Sequence, residues 1–240
     1  TITAAPVLFD VTGDQFPEAI LGTTKGKVVV LNLLDKGKVM MQFPRNERGF
    51  SYSPLVGDFD KNGTPDIVAI DDAGMFHWYH AVPSRNRPGQ ELSHANVGRQ
   101  TGEMVFVEDA ETSGFVVPTR SGLKWFNPQT GIIKSWQQAK GSTLQGKPRL
   151  LRLQSGRPGI LVADNWGILY LLELRQKGFF LLQDFQFQGT TSGKRLTSNP
   201  IHLADIDEDG ILDVIALFGD GSREFVSMGG YAVESGFVLE

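Results

Sequence analysis

Asp58-Phe-Asp-Lys-Asn-Gly-Thr-Pro-Asp66 carries oxygen-bearing side chains at its first, third, fifth and ninth positions, and the pattern occurs twice more. The other copies are Asp10-Val-Thr-Gly-Asp-Gln-Phe-Pro-Glu18 and Asp205-Ile-Asp-Glu-Asp-Gly-Ile-Leu-Asp213, and each opening Asp stands sixteen residues before a glycine: Gly26, Gly74 and Gly221. Such a loop, with a backbone carbonyl free at position seven, suits a hard cation that takes about six to eight oxygens in flexible geometry, which makes calcium the leading cofactor. The expected ligands are Asp58, Asp60, Asn62, Thr64 and Asp66 in one loop and Asp205, Asp207, Asp209, Ile211 and Asp213 in another, with Thr64 and Ile211 contributing carbonyls. Asp10, Thr12, Asp14, Phe16 and Glu18 form a third, weaker set. An EF-hand is excluded, because its closing Glu at position twelve is replaced by Leu21, Ala69 and Ala216.

Each loop is followed by a short apolar run, Ala19-Ile-Leu-Gly22, Ile67-Val-Ala-Ile70 or Val214-Ile-Ala-Leu-Phe218, which reads as a buried strand. The glycines extend the repeat beyond the loops. Gly26, Gly74, Gly122, Gly167 and Gly221 recur at intervals of 48, 48, 45 and 54 residues. Each of the five units reads as four short strands, in the first unit at roughly 5–9, 18–22, 27–32 and 38–43. A period near 45 with four strands per unit predicts an all-β fold, a β-propeller of five four-stranded blades of about 48 residues. The blades are expected at approximately 1–48, 49–98, 99–143, 144–195 and 196–240, in a single domain. Closure is expected, with a last strand near Ala232-Val-Glu-Ser-Gly-Phe-Val238, because an open array would expose sheet edges. The third and fourth units lack the ligand pattern: Glu108-Asp-Ala-Glu-Thr112 is out of register and Leu153-Gln-Ser-Gly-Arg-Pro-Gly159 has no acid. Both are expected to fold without metal.

With 40% hydrophobic and 21% charged residues among 240, the chain has the composition of a soluble globular protein with a substantial core. Apolar runs such as Gly167-Ile-Leu-Tyr-Leu-Leu172 are far shorter than the roughly 20 residues of a membrane-spanning helix. The absence of cysteine excludes disulfides, thiol catalysis and sulfur-ligated zinc. Calcium sites of low to moderate affinity fill at extracellular levels, so a periplasmic, cell-surface or secreted location is expected. The sequence starts at Thr1 and ends in Leu239-Glu240, a dipeptide that cloning can leave, and is expected to be a piece of a larger protein.

The stretches Pro-Leu-Val-Gly-Asp-Phe-Asp-Lys-Asn-Gly-Thr-Pro-Asp-Ile-Val (54–68) and Pro-Ile-His-Leu-Ala-Asp-Ile-Asp-Glu-Asp-Gly-Ile-Leu-Asp-Val-Ile (200–215) resemble FG-GAP/VCBS repeats, the blades of integrin α-subunit propellers and of many bacterial surface proteins. The first unit matches less well, with Thr12 for a carboxylate, Gln15 where the others have Gly63 and Gly210, and Glu18 for the closing Asp. Trp125-Phe-Asn-Pro-Gln-Thr-Gly131 with Trp136 is more similar to quinoprotein-type repeats. The resemblance implies a calcium-clamped propeller used for binding.

His77 and His80 lie three apart in Met75-Phe-His-Trp-Tyr-His80, a strand on which they face opposite sides, so they do not form a metal pair. They are expected in packing or surface roles, and Trp78, Trp125, Trp136 and Trp166 in sheet packing. The sequence has no nucleophile elbow, phosphate loop or His-Glu-x-x-His motif. The blade-to-blade connections are basic, in contrast to the acidic loops. Arg45, Arg48, Arg99, Lys194 and Arg195, with Tyr52 as a stacking residue, are the expected contacts to an anionic partner; the insertion Ala81-Val-Pro-Ser-Arg-Asn-Arg-Pro-Gly-Gln90 is the alternative surface. No nucleic acid is expected. The reading is a non-enzymatic, calcium-stabilised binding module for a protein or acidic polysaccharide, in adhesion or surface assembly. Its alternatives are the scaffold of a lyase-like polysaccharide-active enzyme and a calcium-dependent lectin.

Overall fold

The computed structural model describes residues 1–2, 4–43, 48–81, 91–208 and 212–227. The chain divides into two compact units, Thr1–Gln100 and Thr101–Glu240. The first unit holds two antiparallel meanders, β1 (Val7–Phe9), β2 (Glu18–Gly22), β3 (Val28–Asn32) and β4 (Lys38–Gln42), then β5 (Leu55–Gly57), β6 (Asp66–Ile70), β7 (Met75–His80) and β8 (Glu91–Asn96). The second unit begins with β9 (Val105–Val107), β10 (Gly114–Thr119), β11 (Gly122–Asn127) and β12 (Ile132–Trp136), followed by β13 (Leu144–Arg152), β14 (Pro158–Asp164), β15 (Ile168–Arg175) and β16 (Gly178–Gln186). A single helical turn, α1 (Gln188–Thr191), leads to a fifth sheet of β17 (Leu196–Ala204), β18 (Asp213–Phe218) and β19 (Arg223–Ser227). Each repeat unit thus corresponds to one sheet, and the strands of the first lie within the ranges its sequence predicts. The strand expected near 232–238 falls outside the described residues. No helix among the described residues is long and apolar enough to cross a membrane.

The second strand of each sheet explains the packing. β2, β6 and β10 are buried at every residue, and β14 at every residue but its first. An uninterrupted apolar run has no solvent face, so such a strand is stable only when both faces of its sheet are covered. In the first unit one shared core, including Ile20, Val30, Phe43, Ile67 and Tyr79, fills the space between the two sheets. In the second unit Val116, Leu123, Ile160 and Leu172 join the third sheet to the fourth, and Leu161, Leu171, Val214 and Phe218 join the fourth to the fifth. Each fully buried side chain of this size contributes about 1.5–3 kcal/mol. The fourth strands face water, as the mostly exposed β4 and β12 show.

The first strands β13 and β17 are long and bulged, with register shifts between Gln145 and Arg149 and between Leu196 and Ile201. Pro148 and Pro200 sit within those shifts, where the absent N–H costs no ladder bond. The strands approach closely there: a Cβ on Gly102 would stand 1.9 Å from the Gly146 carbonyl oxygen, and one on Gly146 would stand 2.6 Å from Pro200 Cδ.

At the opposite end from the acidic loops, a tight turn joins the second strand to the third. Gly26, Gly74, Gly122, Gly167 and Gly221 all have positive φ, from 72° to 120°. Two of these turns are organised by a buried aspartate. Asp71 Oδ1 accepts the N–H groups of Ala73 and Met75 at 2.9 Å, and Asp164 Oδ1 accepts those of Trp166 and Ile168 at 3.0 and 2.9 Å. The remaining oxygen of each meets a ring six residues on: His77 Nε2 lies 3.4 Å from Asp71 Oδ2, and the Tyr170 hydroxyl donates to Asp164 Oδ2 at 2.9 Å. Burial, reinforced by the hydrogen bond to Asp164 and its charge, pushes the Tyr170 hydroxyl up to about 12.

Two outcomes follow for stability. An alanine at Gly221 (φ 83°) meets no atom within 4 Å and pays only the left-handed backbone, about 1–2 kcal/mol. At Gly74 (φ 91°) the added Cβ would lie 2.4 Å from the Gly98 carbonyl carbon and 2.6 Å from Arg99 N, so Gly74→Ala should cost clearly more in a urea melt. Tyr170→Phe should cost about 1–2 kcal/mol at neutral pH, because Asp164 loses one donor and keeps its backbone donors. Since the folded state holds the phenolic proton, the hydroxyl's stabilisation is complete below pH 10 and is lost as pH rises toward about 12. The stability gap between wild type and Tyr170→Phe should therefore narrow over that range.

Candidate functional site

The three acidic loops share one scaffold. The carboxylate at position nine begins the second strand and is buried in each case: Glu18, Asp66 and Asp213 are 2%, 0% and 7% exposed. Each accepts the N–H of the residue at position two, from Val11 to Glu18 Oε2 at 3.1 Å, Phe59 to Asp66 Oδ2 at 3.2 Å and Ile206 to Asp213 Oδ2 at 3.1 Å. That repeated bond folds the loop back onto its own strand. At position one, Asp10 accepts N–H groups from Thr12, Gly13 and Gln15, and Asp58 accepts them from Asn62 and Gly63. Burial works to raise the Asp10 carboxyl, but the donors led by Gln15 outweigh it and hold the group below the usual carboxylate range.

Positions four and six have left-handed backbone. At position four are Gly13 (φ 77°), Lys61 (60°) and Glu208 (60°), and at position six are Gln15 (72°) and Gly63 (82°). Gln15, a departure in the sequence comparison, adopts the conformation of Gly63. The first loop therefore keeps the shared geometry, with its glycine moved to position four. Asp209 and Ile211 of the third loop lie outside the described residues, as does Gly210.

A cation fits the chemistry of the loops. An ionised carboxylate taken out of water costs several kcal/mol unless opposite charge or hydrogen bonds compensate. At Asp66, burial first and the nearby Asp60 charge second raise the carboxyl above its ordinary value, with His80 offsetting part of the shift. Asn62 crosses the loop at 58, its amide Nδ2 donating to Asp60 Oδ2 at 2.9 Å while its Oδ1 accepts from Thr64 N at 2.7 Å and from the Thr64 hydroxyl. Calcium, if bound, would be held by Asp58, Asp60, Asn62 and Asp66 with the Thr64 carbonyl.

Sequence reasoning gave His80 a packing or surface role and did not place it beside a loop carboxylate. His80 does not pair with His77, which turns to Asp71, but its Nδ1 lies 2.9 Å from Asp66 Oδ1. The pair depends on strand register, which sets Asp66 opposite His80 and which the sequence pattern does not show.

The fourth sheet meets the same need with protein charges. Its second strand has Gly159 in place of the acid, where a Cβ would lie 2.3 Å from Leu151 Cδ1. The buried carboxylate comes instead from Glu173, the register partner of Gly159. Arg157, from the loop, reaches Glu173 Oε1 at 3.2 Å, Ser155 Oγ donates to the same oxygen at 3.3 Å, and Arg175 binds Oε2. Burial tends to raise the Glu173 carboxyl, yet Arg175 and Arg157 bring it below its ordinary value. These groups border a cavity of about 240 Å³. The third sheet puts Gly114 at the start of its second strand, and the Trp125 indole donates to the Thr112 carbonyl at 2.9 Å.

The connections between sheets lie at the glycine-turn ends. Phe50 N donates to Thr23 O, Asp72 N to Gly49 O, Val97 N to Gly74 O, Phe187 N to Gly167 O and Gly219 N to Arg195 O. Arg48, Arg99 and Arg195 are exposed and Tyr52 is half-buried. Lys194 is less available than its sequence suggests, because Asp220 lies 3.2 Å away and the ammonium also donates to Ser222 Oγ at 2.7 Å. Hydrogen bonds from Ser222, together with Lys194, hold the Asp220 carboxyl down at about 2. Arg45 and residues 82–90 lie outside the described residues. Of the tryptophans, Trp78 and Trp125 are buried and Trp136 packs edge-on against Tyr170, whereas Trp166 is 47% exposed.

No protein-family model and no curated protein matches the sequence. The structure does resemble solved chains. BBS1N, in its complex with ARL6DN, superposes with a TM-score of 0.61 at 13% identity, over 100% of this chain and 63% of that one. Saccharomyces cerevisiae Sqt1 gives 0.66 at 10% identity, over 95% and 59%. The β-propeller domain of Myceliophteria thermophila Cps50 (Swd1) gives 0.56 at 13% identity, over 93% and 70%. The chain spans less than two thirds of the BBS1N and Sqt1 chains. At these identities the likeness concerns the fold alone, and that fold is the β-propeller.

Proposed function

We propose that this chain is a non-enzymatic β-propeller module that binds a protein partner, with FG-GAP/VCBS-type loops at 58 and 205 that take calcium. The observation that carries the reading is the fold it shares with BBS1N, a chain solved in complex with a protein, ARL6DN. The calcium part is supported by the buried position-nine carboxylates, which gather negative charge with loop oxygens around it. A calcium requirement of this kind suits a periplasmic, cell-surface or secreted setting. Partner contacts are assigned, in each unit by itself, to the glycine-turn ends, where Arg48 and Arg99 of the first unit and Arg195 of the second are exposed. At physiological salt such charges act over about 8 Å, so the partner offers a complementary acidic surface at contact range.

Calcium at about a hundred times its dissociation constant adds about 2.7 kcal/mol per site by mass action. For a chain of this length that corresponds to roughly 5–10 °C per site. Chelation should lower the melting temperature accordingly, Asp207→Ala and Asp60→Ala should each remove part of the calcium response, and Glu18→Ala should remove less. Identical melts in calcium and in EDTA would show the loops to be ordinary turns.

For the partner, immobilised chain should retain an acidic protein from cell extract in calcium and release it as salt is raised. Reversal of Arg48, Arg99 and Arg195 to Glu should weaken retention at least about tenfold while leaving the melt unchanged. Undiminished retention by the triple variant would exclude this end of the sheets as the binding surface.

A further inference from the structure

The loop at 58 differs from the other two in having an imidazole beside its buried carboxylate. Antiparallel pairing sets Asp66 opposite His80, whereas Asp213 stands opposite Ser227 and the strand facing Glu18 continues past Leu31 to Asn32. One ligand atom from each of Asp60, Asp66 and His80 lies within 4.8 Å of the other two, and His80 Nδ1 is 2.9 Å from Asp66 Oδ1. Ligands about 2.0–2.2 Å from a single ion stand no more than about 4.4 Å apart, so a small closing movement of the three donors would seat one. Two of the three are already fixed by the ladder. Asp66 is fully buried and held by Phe59 N, while the His80 side chain is 35% exposed and leaves the position open to solvent.

An imidazole changes which ion the site prefers. Calcium and magnesium take oxygen ligands, whereas imidazole with carboxylates suits zinc and its first-row neighbours.

The geometry points to a transition-metal site at this loop, in which Asp60, Asp66 and His80 bind a divalent ion such as zinc and water fills the remaining positions. The inference rests on the reading of the loop at 58 as a cation site and deepens it: the loop takes calcium when calcium alone is supplied, and zinc displaces it where both are present. The loop at 205, which has no such histidine across from its Asp213, keeps its calcium.

The test is calorimetric titration of the metal-free chain with zinc chloride and, separately, calcium chloride, on wild type, His80→Gln and Asp60→Asn. Wild type should bind one zinc at least about tenfold more tightly than the loop at 58 binds calcium. His80→Gln should weaken zinc by a similar factor or more and leave total calcium uptake unchanged, and zinc should raise the melting temperature of wild type but not of His80→Gln. Asp60→Asn, on the outer loop, should also weaken zinc and serves as a check should His80→Gln fold poorly. Zinc binding that is absent, or indifferent to both substitutions, overturns the site. If the zinc site is overturned in this way, calcium uptake that persists leaves the calcium reading standing; the converse result, His80-dependent zinc binding without calcium uptake, would sink the calcium reading and retain the zinc site.

Discussion

A strand with no face toward water is the constraint on which the rest of the structure depends. β2, β6, β10 and β14 have apolar side chains on both sides, so each needs a sheet partner along both edges and a neighbouring sheet against each face that is otherwise wet. The chain meets the first need with three- or four-stranded meanders and the second by stacking sheets within each unit. Both ends of the buried strand must then turn within a few residues without leaving backbone polar groups stranded. The glycine turn solves this at one end. At the other end the acidic loop solves it with a carboxylate on the strand itself.

That solution creates a charge problem, and the sheets answer it differently. In the first, second and fifth sheets a buried acid at the start of the second strand takes one loop N–H and lies among further oxygens. In the fourth sheet the acid has moved one strand over, to Glu173, and two guanidinium groups neutralise it. The third sheet avoids the charge, with Gly114 at that position and the Trp125 indole bonded to the loop carbonyl of Thr112. Arginines on the chain supply there, permanently, the positive charge that the buried carboxylate calls for.

Much of this was legible from sequence because it is periodic. The sixteen-residue spacing from opening Asp to glycine, and the glycine recurrence itself, reflect one geometry repeated, and all five glycines have the positive φ that explains their identity. The apolar runs after the first two loops are buried throughout, and the run after the third is buried at Val214, Ala216 and Phe218. What could not be read were relations across strands. His80 meets Asp66 only through a register set by hydrogen bonding, Glu173 replaces Gly159 across the same pair of strands, and Lys194 is partly neutralised by an Asp220 that lies 26 residues away in the chain. A one-residue register change would undo each of these, and composition is blind to register.

The interchange of Gly13 and Gln15 has a wider meaning. In this loop the fold demands two left-handed residues, two apart, and does not specify which of them is glycine; the other can be glutamine, lysine or glutamate at about 1–2 kcal/mol. A consensus written in letters, with glycine fixed at the sixth place, treats the first loop as degenerate, although its backbone follows the same path. The heritable unit is a sequence of torsion signs, and two chains can keep it while sharing few residues. Repeats of this kind are therefore better counted by their handedness than by their spelling.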